Sequence, residues 1–228
     1  MSQFYANPYQ DVAGFYFETF EEYEKGVEKL LKKGVEEFEI DFNDGEREDA
    51  DLWKVASKSG VISQANMEAW FEEVEPLQRW EKAALYYILD NGRSDDLDDA
   101  LKMVEDEVRP FEGDTRAYVE DYIESAGGLS EAFSKETLAG HIDYEKVGEA
   151  VKMDLDEEEI EERGWNEKDD AEIGEEFLDD IGGLYEAFGK HADEYIDMDG
   201  LVRDMEMSGD ADEYRFGGST WTISPNSF

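Results

Sequence analysis

Few side chains in this sequence other than carboxylates could do chemistry. There are two histidines, His141 and His191, no cysteine, and no Gly-x-Ser-x-Gly, P-loop or His-Glu-x-x-His pattern. Neither histidine has another within a few residues, so a histidine zinc site has no support and each is expected in an ordinary surface or turn role. The lack of thiols excludes disulfides and thiolate catalysis. The 63 Asp and Glu residues supply carboxylate pairs at every spacing, so a glycosidase-like pair carries no information. The nearest metal pattern is YIDMDGLVRDME at 195–206. With Gly200 as the sixth loop position and Glu206 as the twelfth, Asp197 and Asp199 fall third and fifth, but the first ligand position holds Tyr195. The expected reading is instead a helix capped by Asp197, with Met198, Leu201, Val202 and Met205 packing inward. No catalytic, metal or cofactor site is expected, and a metal-dependent or hydrolytic enzyme is the rival class.

What the residues offer in bulk is charge. Against 21 Lys and Arg the acids give a formal net charge of −42, far beyond what solubility needs and costly through self-repulsion. A disordered acidic tail does not explain it, because the charge runs from end to end and Trp53, Trp70, Trp80, Trp165 and Trp221 are spread with it. At 40% hydrophobic and 13% aromatic the 228 residues can bury cores. A salt-adapted surface is an alternative, but that composition would hold few lysines, and the chain keeps 13 beside 8 arginines. Ordinary nucleic-acid binding is excluded by sign, since such a surface repels phosphates. Inverted, the same sign fits a protein that imitates DNA: at two charges per base pair, −42 matches roughly 21 base pairs, and a dimer roughly 42. The segment MSQFYANPYQ has no basic region followed by an apolar run, and nowhere do eighteen apolar residues follow one another, so a cytoplasmic protein without membrane contact is expected.

The elements that must position these acids follow from periodicity. QFYANPYQDVAGFYF at 3–17 reads as two aromatic strands around a turn at Asn7-Pro8. Thr19 with Glu22 makes a capping box for a helix over 20–33, with Phe20, Tyr23, Val27, Leu30 and Leu31 at helical spacing and Gly34 as its stop. VEEFEIDF at 35–42 alternates as a half-buried strand ending at Asn43-Asp44-Gly45. From 49 to 111 helices are expected: one at 49–60, one after Ser63, one with Pro76 in its first turn and Gly92 past its end, and one at 94–108 with Leu97, Ala100, Leu101, Val104 and Val108 on one stripe. Residues 213–224 read as a hairpin closing on Gly217-Gly218.

The chain also repeats itself. EDYIESAGGLSEAF at 120–133 returns at 175–188 as EEFLDDIGGLYEAF, identical at seven of fourteen positions when Gly127-Gly128-Leu129 lies on Gly182-Gly183-Leu184. After a one-residue gap Ile142-Asp143-Tyr144 meets Ile196-Asp197-Met198, Val147 meets Leu201 and Met153 meets Met207. Each copy suits a buried stripe, a left-handed glycine stop and water-facing carboxylates. Between them, 154–173 is an acidic, partly helical connector.

In its order of parts the chain resembles the ArdA antirestriction family. YAN…GFYF, FEEYEKGVEKLL and EEFEIDF resemble that family's first domain, and the Leu52-Trp53 helix with the acidic helices to 111 resembles its helical middle. EEFLDDIGGLYEAF, EYIDMDGLVRDMEMSGD and EYRFGGSTWTI are similar to its helix, Gly-Leu turn, second helix and closing strands. The family's C-terminal module normally occurs once, whereas 117–153 is an extra copy without a closing hairpin. The resemblance implies an elongated, three-domain α+β body, a homodimer through its C-terminal region. It further implies that the body imitates bent duplex DNA, blocks type I restriction-modification enzymes, and is encoded on a phage, plasmid or other mobile genetic element.

These readings give an α+β, multi-domain chain: a ββαβ domain at 1–47, an acidic helical domain at 48–113, the first module and connector at 114–173, and the second module with its hairpin at 174–228. The expected function is DNA mimicry against a DNA-binding host defence enzyme, without catalysis or cofactor; another defence complex or a nucleoid protein is the alternative target. The acids expected to carry it are Glu72, Glu73, Asp95, Asp96, Asp98, Asp99, Glu105 and Asp106 in the middle helices. In the modules they are Glu120, Asp121, Glu124, Glu175, Glu176, Asp179 and Asp180.

Overall fold

The computed structural model describes residues 2–106 and 109–224. The chain is α+β: an N-terminal three-stranded antiparallel sheet with a helix, a long series of helices, and a C-terminal β-hairpin. By contact it divides into two units, one running to Tyr118 and resuming at Gly209, the other Val119–Ser208.

In the first unit, β1 (Gln3–Pro8) lies between β2 (Phe15–Phe17) and β3 (Phe38–Asp44), antiparallel to both. The expected turn at Asn7-Pro8 is corrected: both residues belong to β1, opposite Glu39 and Phe38, and the reversal occupies 9–14. Proline is tolerated there because it sits at the strand end, where its missing N–H interrupts little of the ladder. Helix α1 (Phe20–Leu31) starts at Thr19, whose hydroxyl accepts from the Glu22 amide at 3.2 Å; the Glu22 carboxylate turns back to the Glu18 amide rather than to Thr19. At the other end Gly34 (φ 81°) donates to Leu31 and Val35 donates to Leu30, a left-handed closure that buries Val35 against the helix. Val35 therefore ends α1, and the strand begins three residues later than its alternation suggests.

Helix α2 (Arg47–Ser59) stops at left-handed Gly60. The expected helix after Ser63 is shorter: Asn66 folds its side chain over the turn, accepting from the Ser63 amide and donating to Val61, so α3 covers only Met67–Ala69. A π turn at Trp70–Val74 follows. Pro76 is not in a first turn, because Gln78 and Glu81 form a reciprocal box that opens α4 (Arg79–Asp90) beyond it. Helix α5 (Leu97–Asp106) begins after Asp96, whose carboxylate accepts from the Asp99 amide at 3.1 Å, so Asp95 and Asp96 precede it. Its stripe buries Leu97, Ala100 and Val104 while Leu101 is half-buried; Val108 lies outside the described residues.

Aromatic packing explains why so charged a unit holds together. Phe4 meets Phe17, Phe42, Trp53, Trp70 and Phe71 with ring centroids 4.8–5.9 Å apart, each such pair adding to simple area burial. Inside the same unit Asp49 and Lys82 form a buried pair at 2.6 Å, and Ser2 donates to the other Asp49 oxygen at 3.0 Å. The chain returns here at its end: β4 (Phe111–Glu112) pairs with β6 (Ser219–Ile223), which pairs with β5 (Asp212–Phe216) around Gly217-Gly218 (φ 60° and 85°). Arg79 ties the hairpin down, reaching Glu48, both Glu112 oxygens and Ser219 while lying over the Trp221 ring.

The second unit holds the repeat. The first copy runs through α6 (Thr115–Ala126, which begins in the first unit), α7 (Leu129–Ala132), α8 (Lys135–Ala139) and α9 (Tyr144–Asp154). The connector carries α10 (Glu157–Glu162) and Trp165, which is buried after a left-handed turn at Gly164; its last residues, from Asp170, already belong to the next helix. The second copy runs through α11 (Asp170–Ile181), α12 (Leu184–Phe188), a 3-10 segment (Gly189–Tyr195) and α13 (Met198–Ser208). The two glycine pairs act alike: Gly127 and Gly128 have φ 97° and 130°, Gly182 and Gly183 have φ 98° and 117°. Gly128 donates to Ile123 and Gly183 to Leu178 across the same span.

Candidate functional site

The acids singled out from the sequence are displayed. Glu72, Glu73, Asp95, Asp96, Asp98, Asp99, Glu105, Glu120, Asp121, Glu124, Glu175, Asp179 and Asp180 are all exposed. Glu176 differs: it is half-buried and held by Lys168. Asp106 closes α5, and its side chain lies outside the described residues, as does Glu107.

Where they sit on the helices is informative. Acids in a first turn are stabilised by the positive helix end, and Asp98, Asp99, Asp170 and Glu172 need no other explanation. Glu105 on α5, Glu124 on α6, and Asp179 and Asp180 on α11 occupy last turns, where the dipole opposes them, and none of these last turns holds a basic residue. Each such placement costs about 0.3–1 kcal/mol at low salt. Helix stability does not account for it.

Helix α11, which carries Glu175, Asp179 and Asp180, is firmly set, as is the connector helix α10 before it. Asp169 with Glu172 and Asp156 with Glu159 form reciprocal capping boxes on α11 and α10. Helices α9 and α11 cross with their backbones in contact at two glycines. A Cβ on Gly148 would lie 1.8 Å from the Asp170 carbonyl oxygen, and one on Gly174 would lie 2.1 Å from that of Tyr144. Gly148 and Gly174, interior to α9 and α11, are the signal in the sequence for this crossing, and the periodicity reading passed over both. The field of the acids registers on neighbouring phenols: burial first, then the Glu175 and Asp179 charges, raises Tyr144, and burial with Asp193 pushes Tyr185 up to about 12.

The copies meet edge to edge. Ile142 and Ile196 form an antiparallel bridge, flanked by Asp143 donating to the Tyr195 carbonyl at 2.9 Å and Asp197 donating to the His141 carbonyl at 2.7 Å. Beyond the bridge each aspartate caps the helix that follows: Asp143 accepts from Lys146 and Asp197 from Gly200, both at 3.0 Å. The 195–206 segment is thus a single bridging residue, Ile196, followed by a capped helix, with Asp197 already engaged at the helix start, as the capping reading expects. Among the described residues no group of three or more His, Cys, Asp or Glu is arranged to hold a metal ion. His141 lies 3.5 Å from Asp204 at the edge of this seam, and His191 is exposed beside Glu194 at 2.9 Å. Among the described residues no helix is long and apolar enough to cross a membrane.

The pairing of the copies was not foreseen, although the aligned Ile-Asp dipeptides were its signal. Compared with protein-family models, curated proteins and solved structures, the chain matches none.

Proposed function

We propose that this protein is a non-catalytic DNA mimic that occupies the DNA-binding groove of a host defence enzyme, and that a type I restriction-modification enzyme is its target, as the resemblance to the ArdA family suggests. The observation that carries this reading is the placement of exposed carboxylates in the last turns of α5, α6 and α11, where each opposes the helix dipole. A surface selected only for stability or solubility would put cations there. Capped, interlocked helices keep such charges in place before a partner arrives, which lowers the ordering cost of binding. A field of one sign also speeds encounter with a basic groove.

The mechanism is occupation rather than chemistry. Carboxylates stand where phosphates would stand, pair with groove lysines and arginines, and exclude the duplex. Binding is spread over many weak contacts of about 0.2–1 kcal/mol each, so no single acid dominates. Replacing Glu72, Glu73, Asp95, Asp96, Asp98, Asp99 and Glu105 together by Gln or Asn should abolish inhibition of DNA cleavage by the purified restriction enzyme, while any one of them alone changes it less than about fivefold. Full inhibition by the sevenfold variant would overturn the reading.

A further inference from the structure

Two of the displayed acids, Glu72 and Glu73, line a concave site. It is a groove of about 320 Å³ in the first unit, between α1 and the segment running from the 63–66 turn through α3 into the π turn. That volume is at the lower end of what takes a small ligand, enough for one long side chain. Its apolar part is aromatic: Phe20 and Tyr23 line it with ring centroids 6.1 Å apart and planes 29° from parallel, and Met67 completes it. The neutral polar side chains there are already engaged. Tyr23 donates its hydroxyl to the Gln64 carbonyl at 2.6 Å, the Gln64 side chain accepts from the Phe38 amide, and the Asn66 side chain spans Ser63 to Val61. What the groove leaves open is negative. Glu68, Glu72 and Glu73 are exposed, and among the described residues none of the three has a hydrogen-bond or ion-pair partner. Among the described residues no lysine, arginine or histidine lines it. The π turn helps to gather these acids: the Glu75 amide reaches back five residues to the Trp70 carbonyl at 2.7 Å. A turn that takes more residues per revolution keeps Glu73 closer to the side of Glu72 than an α-turn would, and such turns recur at functional sites.

We propose that this groove is a socket for one arginine side chain presented by a protein partner. An aromatic floor beside open carboxylates calls for a long cation with an apolar stem. A guanidinium meets this better than an ammonium, because it lies flat on a ring face while its five donors, set in a fixed fork, reach more than one carboxylate. The stem packs on Met67 and Phe20. The inference rests on the mimicry reading for the source of that arginine, the basic groove of the target. It also gives Glu68, outside the set chosen from the sequence, the same work as Glu72 and Glu73.

The test uses a Gly-Arg-Gly peptide blocked at both ends, titrated into the isotope-labelled full chain and followed by NMR at about 0.15 M salt, where diffuse attraction is screened. Saturable amide shifts confined to the groove residues are expected, with weaker binding of the Gly-Lys-Gly counterpart. Ala65→Trp sets a bulky ring at the exposed rim of the groove and leaves every charge in place, so it should loosen the arginine peptide at least about fivefold. Shifts scattered over acids throughout the chain, no shifts at all, or a lysine peptide bound as tightly would each overturn the proposal. So would an Ala65→Trp protein that binds the peptide as the parent does. Should that variant fold badly, the parent's shift map and its preference for arginine over lysine still decide. The peptide test needs no enzyme, so failure to inhibit the restriction enzyme by a protein that binds the peptide in this way would count against the mimicry reading alone.

Discussion

Replacing Gly148 by Ala separates helix propensity from packing, because the two predict opposite signs. Gly148 is interior to α9, where alanine is worth about 1 kcal/mol over glycine, so propensity alone makes the variant more stable. In the structure the added Cβ would sit 1.8 Å from the Asp170 carbonyl oxygen, whereas ordinary contact begins at 3.4 Å, a shortfall of 3.4 − 1.8 = 1.6 Å. The obstacle is backbone in the first turn of α11 and cannot rotate aside. Opening the crossing loosens Val147, Val151, Ile173 and Leu178, all buried, and each loses close contacts. Overpacking of this kind costs about 1–3 kcal/mol, at its upper end where backbone must move. A net loss of about 2 kcal/mol, or about 1 M in urea midpoint, is expected from far-UV circular dichroism. Gly140→Ala is the control, since φ there is −72° and the nearest atom to the new Cβ is 3.5 Å away; it should gain about 0.4–1 kcal/mol. A Gly148→Ala protein as stable as the parent, or more so, would refute the α9–α11 packing.

Three other outcomes are expected. Asp49→Ala strands Lys82 without its partner in the core, at a cost of about 3–5 kcal/mol, while Asp49→Leu combined with Lys82→Met recovers most of it in thermal or urea unfolding. Burial holds the Tyr23 phenol at about 12, and burial with Asp193 does the same for Tyr185, against about 10 when unfolded. The neutral phenols therefore contribute stability that is fully present below pH 10 and lost as pH rises through about 12, which alkaline unfolding followed by tyrosinate absorbance at 295 nm checks. Finally, with a net charge of −42 self-repulsion is screened by salt, so the urea midpoint should rise between about 0.02 and 0.5 M KCl; a falling midpoint would contradict it.

Much of this fold is legible in the sequence where a residue has one physical use. The paired glycines at 127–128 and 182–183 mark left-handed helix stops because side-chain-bearing residues resist positive φ, and all four adopt it. Gly34 and the Gly217-Gly218 turn read correctly for the same kind of reason, and Thr19 caps α1, although Glu22 turns back to Glu18 instead of completing the box. What misled was apolar residues with two possible uses. Val35 fits the alternation of a strand, yet its burial belongs to the closure of α1. Pro76 suits a first turn, yet the Gln78 and Glu81 box starts α4 later. Exposure of the candidate acids was legible because an apolar stripe fixes the opposite face. The seam was not, because the aligned Ile-Asp dipeptides mark equivalent positions in the two copies without saying that those positions pair. Glu176 shows the same limit, since its partner Lys168 sits on the preceding loop.

The most direct test of DNA mimicry is equilibrium competition. A labelled duplex bearing the recognition site is titrated with a type I restriction-modification enzyme at several fixed concentrations of this protein. Simple competition predicts that the apparent Kd for DNA rises linearly with protein concentration, that saturating duplex restores full binding, and that the protein's own affinity weakens steeply as salt is raised. An unchanged apparent Kd, or inhibition that excess duplex cannot reverse, would contradict it.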